Sequence, residues 1–233
     1  MIPYRDERLP RIIAVSVWTI VAGNVYFFYR ELTASKPART IDEFALVPYN
    51  LTHHIQLAPP SPHPAVLTLL TSMFLHGGIS HIFFNMLFLL VFGPRIERYQ
   101  GHAAFVAFYV LCGVAGGIAQ MLAAPNSHIP EIGASGAIAG VMGAYLITYP
   151  RSTIDTVTPI GCFPLFLRLP AVIVIGVWAA LQFVLGFDTF DPRANQGGVA
   201  YFAHIGGFAS GVILQGLVEL FRRDRDSAPR SRR

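Results

Sequence analysis

The chain has 233 residues, of which 53% are hydrophobic and 13% charged, against about 25% charged in soluble domains; its mean hydropathy is +0.51. So little charge cannot cover a soluble surface, and the length suits one compact bundle in a bilayer. The net charge of +4 excludes little by itself, but the arginines stand beside apolar runs instead of interleaving with aromatics, so they read as topology signals and not as a nucleic-acid surface.

Residues 1–11 are polar and basic, and residues 12–29 are uncharged, close to the ~20 residues a spanning helix needs. A cleaved signal peptide competes with this reading, but the run is long for one and no small-residue cleavage site follows. Residues 30–72 form a long connection holding six prolines from Pro37 to Pro64. Its aromatic and aliphatic content, including Phe44, Leu46 and Tyr49, argues against disorder and for an interfacial loop with some short helix. A second span begins near Leu67 and closes at Arg95, Glu97 and Arg98. Residues 103–124, 134–149, 169–187 and 199–218 make the third to sixth spans, and a polar tail follows. The expected division is therefore 1–66 for the N-terminal segment with the first span and outer loop, 67–221 for the core, and 222–233 for a basic tail. The class is an all-α membrane protein, a six-helix bundle.

Six spans place both termini on one side. Thirteen arginines fall on that side, and four basic residues (Arg30, Lys36, Arg39 and Arg193) on the other, so the termini are expected in the cytoplasm. Cys112 and Cys162 fit neither a metal nor a disulfide pattern. There is no H-E-x-x-H motif, no zinc-spaced cluster, and no aspartate inside a span. No metal or cofactor is expected, and metalloprotease and aspartyl intramembrane protease are disfavoured.

Polar groups within spans are costly unless paired or wet, which marks them as functional candidates. Ser135 stands among glycines and alanines at the start of the fourth span, in Gly133-Ala134-Ser135-Gly136. Small neighbours and the unpaired N–H groups of a helix N-terminus suit a nucleophile. Close packing is the commoner reason for such a serine, because Gly136 and Gly140 form a small-xxx-small pair. His81 and Asn85, four apart, share one helix face about 6 Å apart along the axis, and they too can be interhelical glue. His76 precedes the Gly77-Gly78 turn and can face the same cavity. His204 opens the sixth span at the same depth as Ser135, with Gly207 and Gly211 forming a second small-xxx-small face that would bring it close to the fourth span. The imidazole can then take the hydroxyl proton.

At these residues the chain resembles the rhomboid family of intramembrane serine proteases. Gly133-Ala134-Ser135-Gly136 is similar to the family's G-x-S-G, the segment from His76 through His81 to Asn85 to its second-helix signature, and Ala203-His204 with Gly207 and Gly211 to its sixth-helix element. Glu97-Arg98 resembles the acidic-basic pair after the second helix. The resemblance covers about residues 67–218. It implies Ser135 as nucleophile, His204 as general base, and an oxyanion site of His81, Asn85 and the Ser135 N–H. The implied substrates are single-span membrane proteins, cut near the outer membrane face; a bare six-helix core with no presequence is expected in a prokaryotic plasma membrane. Two departures stand out: the tyrosine some members carry four residues after the nucleophile is Ala139 here, so something else must orient His204, and residues 53–72 lack the family's Trp-Arg pair. The other function classes are a non-catalytic rhomboid-like binder of transmembrane clients and a small-solute transporter, the latter leaving Ser135, His204, His81 and Asn85 unexplained.

Overall fold

The computed structural model describes residues 1–7, 13–55, 64–160, 163–188 and 199–227. Arg8, Arg11, Arg193, Cys162 and the last three arginines, used above, lie outside them. Helices α1 (Val15–Thr33), α5 (Ile79–Gln100), α6 (His102–Ala123), α7 (Ser135–Thr148), α8 (Ala171–Asp188) and α9 (Tyr201–Ser227) build the bundle. Among the described residues, α5, α6 and the stretch Tyr201–Arg222 of α9 are long and apolar enough to cross a bilayer. The bundle is inside-out by soluble standards. Trp18, Val25 and Phe27 on α1, Val177 and Val184 on α8, and Ile213 and Leu217 on α9 are exposed. In lipid that outer surface is the satisfied one, since helices bond their own backbone.

Helix α7 lies at the centre, and Gly136 to Tyr145 is buried throughout. Its 14 residues rise about 21 Å, short of the ~30 Å hydrocarbon core. Small residues let neighbours approach it: a β-carbon at Gly207 on α9 would strike the Gly136 carbonyl, and one at Gly211 the Gly140 carbonyl. The two small-xxx-small faces therefore meet, through backbone contact no larger side chain permits.

Three elements differ from the sequence expectation. The second span does not start near Leu67. There the chain forms a 3-10 turn, the short helix α4 (Thr68–Thr71) and another 3-10 turn. Leu75 then goes extended, and the Gly77-Gly78 pair, poor in helix propensity, delays α5 to Ile79. The long connection also holds α2 (Pro37–Phe44) and α3 (Pro48–Thr52), each begun by a proline at its first turn, where the missing N–H is no loss. Finally, α9 continues past residue 218 to Ser227, and Arg222 packs instead of trailing: its guanidinium lies 4.0 Å over the Tyr99 ring and donates to the Tyr99 carbonyl at 2.6 Å.

A three-stranded antiparallel sheet stands beside the C-terminal ends of α5 and α7, an element the all-helical expectation lacked. Strand β1 (Ile2–Asp6) pairs with β2 (Thr153–Ile160), and β2 with β3 (Phe163–Pro170), Ile2 facing Val157 and Thr153 facing Pro170. The buried Asp6 carboxylate accepts from Tyr145 Oη at 2.6 Å and from Arg95 at 3.2 Å, and Arg95 also donates to Ser152. One cation thus ties β1, α5 and the far end of α7 together. Nearby, the buried Glu97 accepts from the N–H groups of Ser16 at 2.7 Å and Val17 at 2.9 Å, with His102 Nδ1 at 2.5 Å. A carboxylate from α5 therefore caps the positive N-terminus of α1.

Candidate active site

Ser135 begins α7, so its N–H is among the first four of the helix, which have no intrahelical acceptor. The strand leading to it is held by the long connection: Leu46 and Glu131 exchange backbone bonds at 3.0 and 2.7 Å, and the Gly133 N–H donates to the Ser72 carbonyl at 2.9 Å. Gly133 then turns with φ +125°, a conformation that side chains rarely adopt. The turn faces Ser135 across the bundle toward α9.

His204 sits in the first turn of α9. Its Nε2 is 2.7 Å from Ser135 Oγ, and its Nδ1 is 2.7 Å from Gln182 Oε1 on α8. Trp178, one turn before Gln182, lies beside the imidazole with ring centroids 5.9 Å apart. Ala139, four residues after Ser135 on α7, is fully buried.

On α5, His81 Nδ1 accepts weakly from the Gly77 N–H at 3.4 Å, which leaves its Nε2 as the N–H side, against Gly133. Asn85 is buried, and its Nδ2 has no partner among the described residues. A buried amide donor without a partner costs free energy unless something else uses it. His76 is buried and meets the His81 ring edge-on, with centroids 5.1 Å apart.

Behind Ser135 a cavity of about 30 Å³ is lined by Ser72, Met73, Gln120, Glu131, Gly133 and Ala203, among others. Gln120 crosses its polar side, accepting from the Ala203 N–H at 3.2 Å and donating to Glu131 at 3.1 Å. Burial pushes the Glu131 carboxyl up to about 7. Gln120, Glu131 and Gln182 had no part in the sequence argument. For Gln182 the only signal was an amide inside an otherwise apolar run, which gives no hint of what it touches.

The structure thus brings Ser135, His204, His81 and Asn85 to one end of the bundle, with Gly136, Gly140, Gly207 and Gly211 along one interface. Residues 63–219, more than half of the chain, match the Rhomboid domain family. RHOMBOID-like protein 4 of Arabidopsis thaliana is 34% identical over 161 residues, covering 66% of this chain and 34% of its own length. The Rhomboid protease GluP of Bacillus subtilis is 33% identical over 146 residues, or 63% of this chain and 25% of the relative. Rhomboid protein 1, mitochondrial, of Saccharomyces cerevisiae is 28% identical over 151 residues, 63% of this chain and 40% of that one. The chain therefore spans well under half the length of the curated relatives it matches.

Proposed function

For a chain that belongs to the rhomboid family and is a multi-pass membrane protein, we propose the activity of an intramembrane serine endopeptidase. The observation that carries it is the 2.7 Å approach of Ser135 Oγ to His204 Nε2. In this reading Ser135 gives its proton to His204 as Oγ attacks the scissile carbonyl, and the imidazolium then protonates the leaving amine. The same base activates the water that hydrolyses the acyl-enzyme. The tetrahedral oxyanion is met by the Ser135 N–H, His81 Nε2–H and Asn85 Nδ2–H, and the unpartnered amide of Asn85 favours a donor waiting for a ligand.

The substrates are single-span membrane proteins, entering from the bilayer and unwound near small or helix-breaking residues. A helix held in hydrocarbon has no carbonyl free for attack until it unwinds. On the arginine count both termini are cytoplasmic and Ser135 lies toward the outer face of the membrane. A reporter active only outside the cytoplasm, fused at residue 233, should stay silent; a strong signal inverts this orientation.

Fluorophosphonate labelling of the purified protein tests the nucleophile. The wild type should label and cleave a transmembrane substrate, whereas folded Ser135→Ala and His204→Ala should do neither. Turnover by folded Ser135→Ala overturns the assignment, and a wild type that neither labels nor cleaves leaves a rhomboid-like binder of membrane clients as the better reading.

A further inference from the structure

Gln182 is the only amide side chain of α8, in a helix whose other outward residues suit lipid. An amide there is costly without a specific partner. Its Oε1 is 2.7 Å from His204 Nδ1, while its Nε2 points back to the Trp178 carbonyl at 3.4 Å. We propose that Gln182 is a positioning residue that fixes the tautomer and tilt of His204, so that this protein works with a Ser135–His204–Gln182 relay.

An amide oxygen only accepts, so with Oε1 toward the ring it is Nδ1 that carries the hydrogen. Nε2 is then a bare lone pair facing Ser135 Oγ, the form a general base requires. The opposite amide orientation would aim an NH2 group at Nδ1, put the ring hydrogen on Nε2, and set the Gln182 oxygen against the Trp178 carbonyl oxygen. Two acceptors face each other in that arrangement, so the hydrogen-bond geometry itself selects the first. Trp178 flanks the ring from the same helix, and the two side chains together occupy the role left open by Ala139. Unlike a triad aspartate, Gln182 brings no charge, so it orients the imidazole without stabilising the imidazolium electrostatically.

The inference rests on His204 being the base, and its test separates the two. His204→Ala and wild-type labelling, which do not involve Gln182, decide the base reading. Given a labelling wild type, Gln182→Met keeps the length of the side chain and removes the acceptor. It should lower kcat and the labelling rate by about 10- to 100-fold, the range expected for a buried donor left unpaired, with KM changed less than twofold. Gln182→Glu, which keeps an acceptor oxygen in place, should restore most of the loss. Nitrogen-15 spectra of the wild type, with His204 assigned by its absence in His204→Asn, should show neutral imidazole protonated at Nδ1, a readout that needs no Gln182 variant to fold. A Gln182→Met protein with wild-type kcat, equal impairment of the Met and Glu variants, or a neutral ring protonated at Nε2 would each overturn the proposal.

Discussion

The His81 ring lies directly against the backbone of Gly133: a β-carbon there would fall 2.8 Å from His81 Nε2. That nitrogen is the one aimed toward the nucleophile's turn, so the glycine leaves room for a donor as well as for a positive φ. His81→Ala and Asn85→Ala should each slow turnover of a transmembrane substrate by at most about 10²–10³, the loss seen for one side-chain oxyanion donor, because the Ser135 N–H remains. Gly133→Ala should cost more than either, since it strains the turn and displaces His81 together. Unchanged turnover in both His81→Ala and Asn85→Ala would reduce the pair to packing groups.

Gly207 acts through distance. Its missing side chain lets α9 rest on the Gly136 carbonyl, one residue after Ser135, and a displacement of 1 Å at a reacting pair can cost about 10² in rate. Gly207→Val should therefore lose cleavage and fluorophosphonate labelling together with His204 still present. Gly216→Val, on the same helix but with no atom of the described residues within 4 Å of its β-carbon, is the control and should keep both. Wild-type labelling of folded Gly207→Val would mean that the α7–α9 contact does not set the approach of His204 to Ser135.

Glu97 fastens α1 to the bundle. Its side chain is 1% exposed, so Glu97→Ala leaves the Ser16 and Val17 N–H groups buried without their acceptor, at a cost of about 2–3 kcal/mol. Thermal unfolding in detergent should occur at lower temperature in Glu97→Ala, with Glu97→Gln in between because it keeps one acceptor oxygen. Equal unfolding temperatures for wild type and Glu97→Ala would show that α1 is held elsewhere.

Glu131 gives stability a pH dependence. Burial raises its carboxyl from the ordinary 4.5 to about 7, with the Gln120 hydrogen bond pulling the other way. The folded protein therefore keeps this proton where the unfolded chain has released it, so its contribution to stability falls as pH rises from about 4.5 to about 7 and is level above. Glu131→Gln cannot ionise. Its unfolding temperature, relative to wild type, should rise across that window and stay constant beyond it; a difference independent of pH would mean that the carboxyl is well hydrated.

Much of the bundle was legible because spans are long and apolar, and glycine, serine and histidine inside them have few reasons to be there. Ser135 and His204 could be set at one depth by counting from the ends of their spans. Gln182 could not, because its partner stands 22 residues later and no spacing rule links two helices that meet only in space. The sheet was missed for a different reason. Leu165, Leu167 and Leu169 do alternate with Phe166 and Arg168, but the strand lies beside an apolar helix, where a short apolar run is ambiguous between the two states. Helix α9 outran its expected end because Arg222 finds Tyr99, a contact that composition cannot report.

The pairing of β1 with β2 also sets an order in time. Asp6 and Ser152 are 146 residues apart, so at a synthesis rate of about 5–20 residues per second the first strand waits roughly 7–30 s for its partner. During that interval it is an unpaired edge, the form of backbone most open to wrong pairing. Glu97 emerges well before β2 and can seize the start of α1 while β1 is still idle. Arg95, made two residues before Glu97, can meet Asp6 just as early, so the sheet closes over helices already in place and only the Arg222–Tyr99 contact is left for the newborn chain to add at that end.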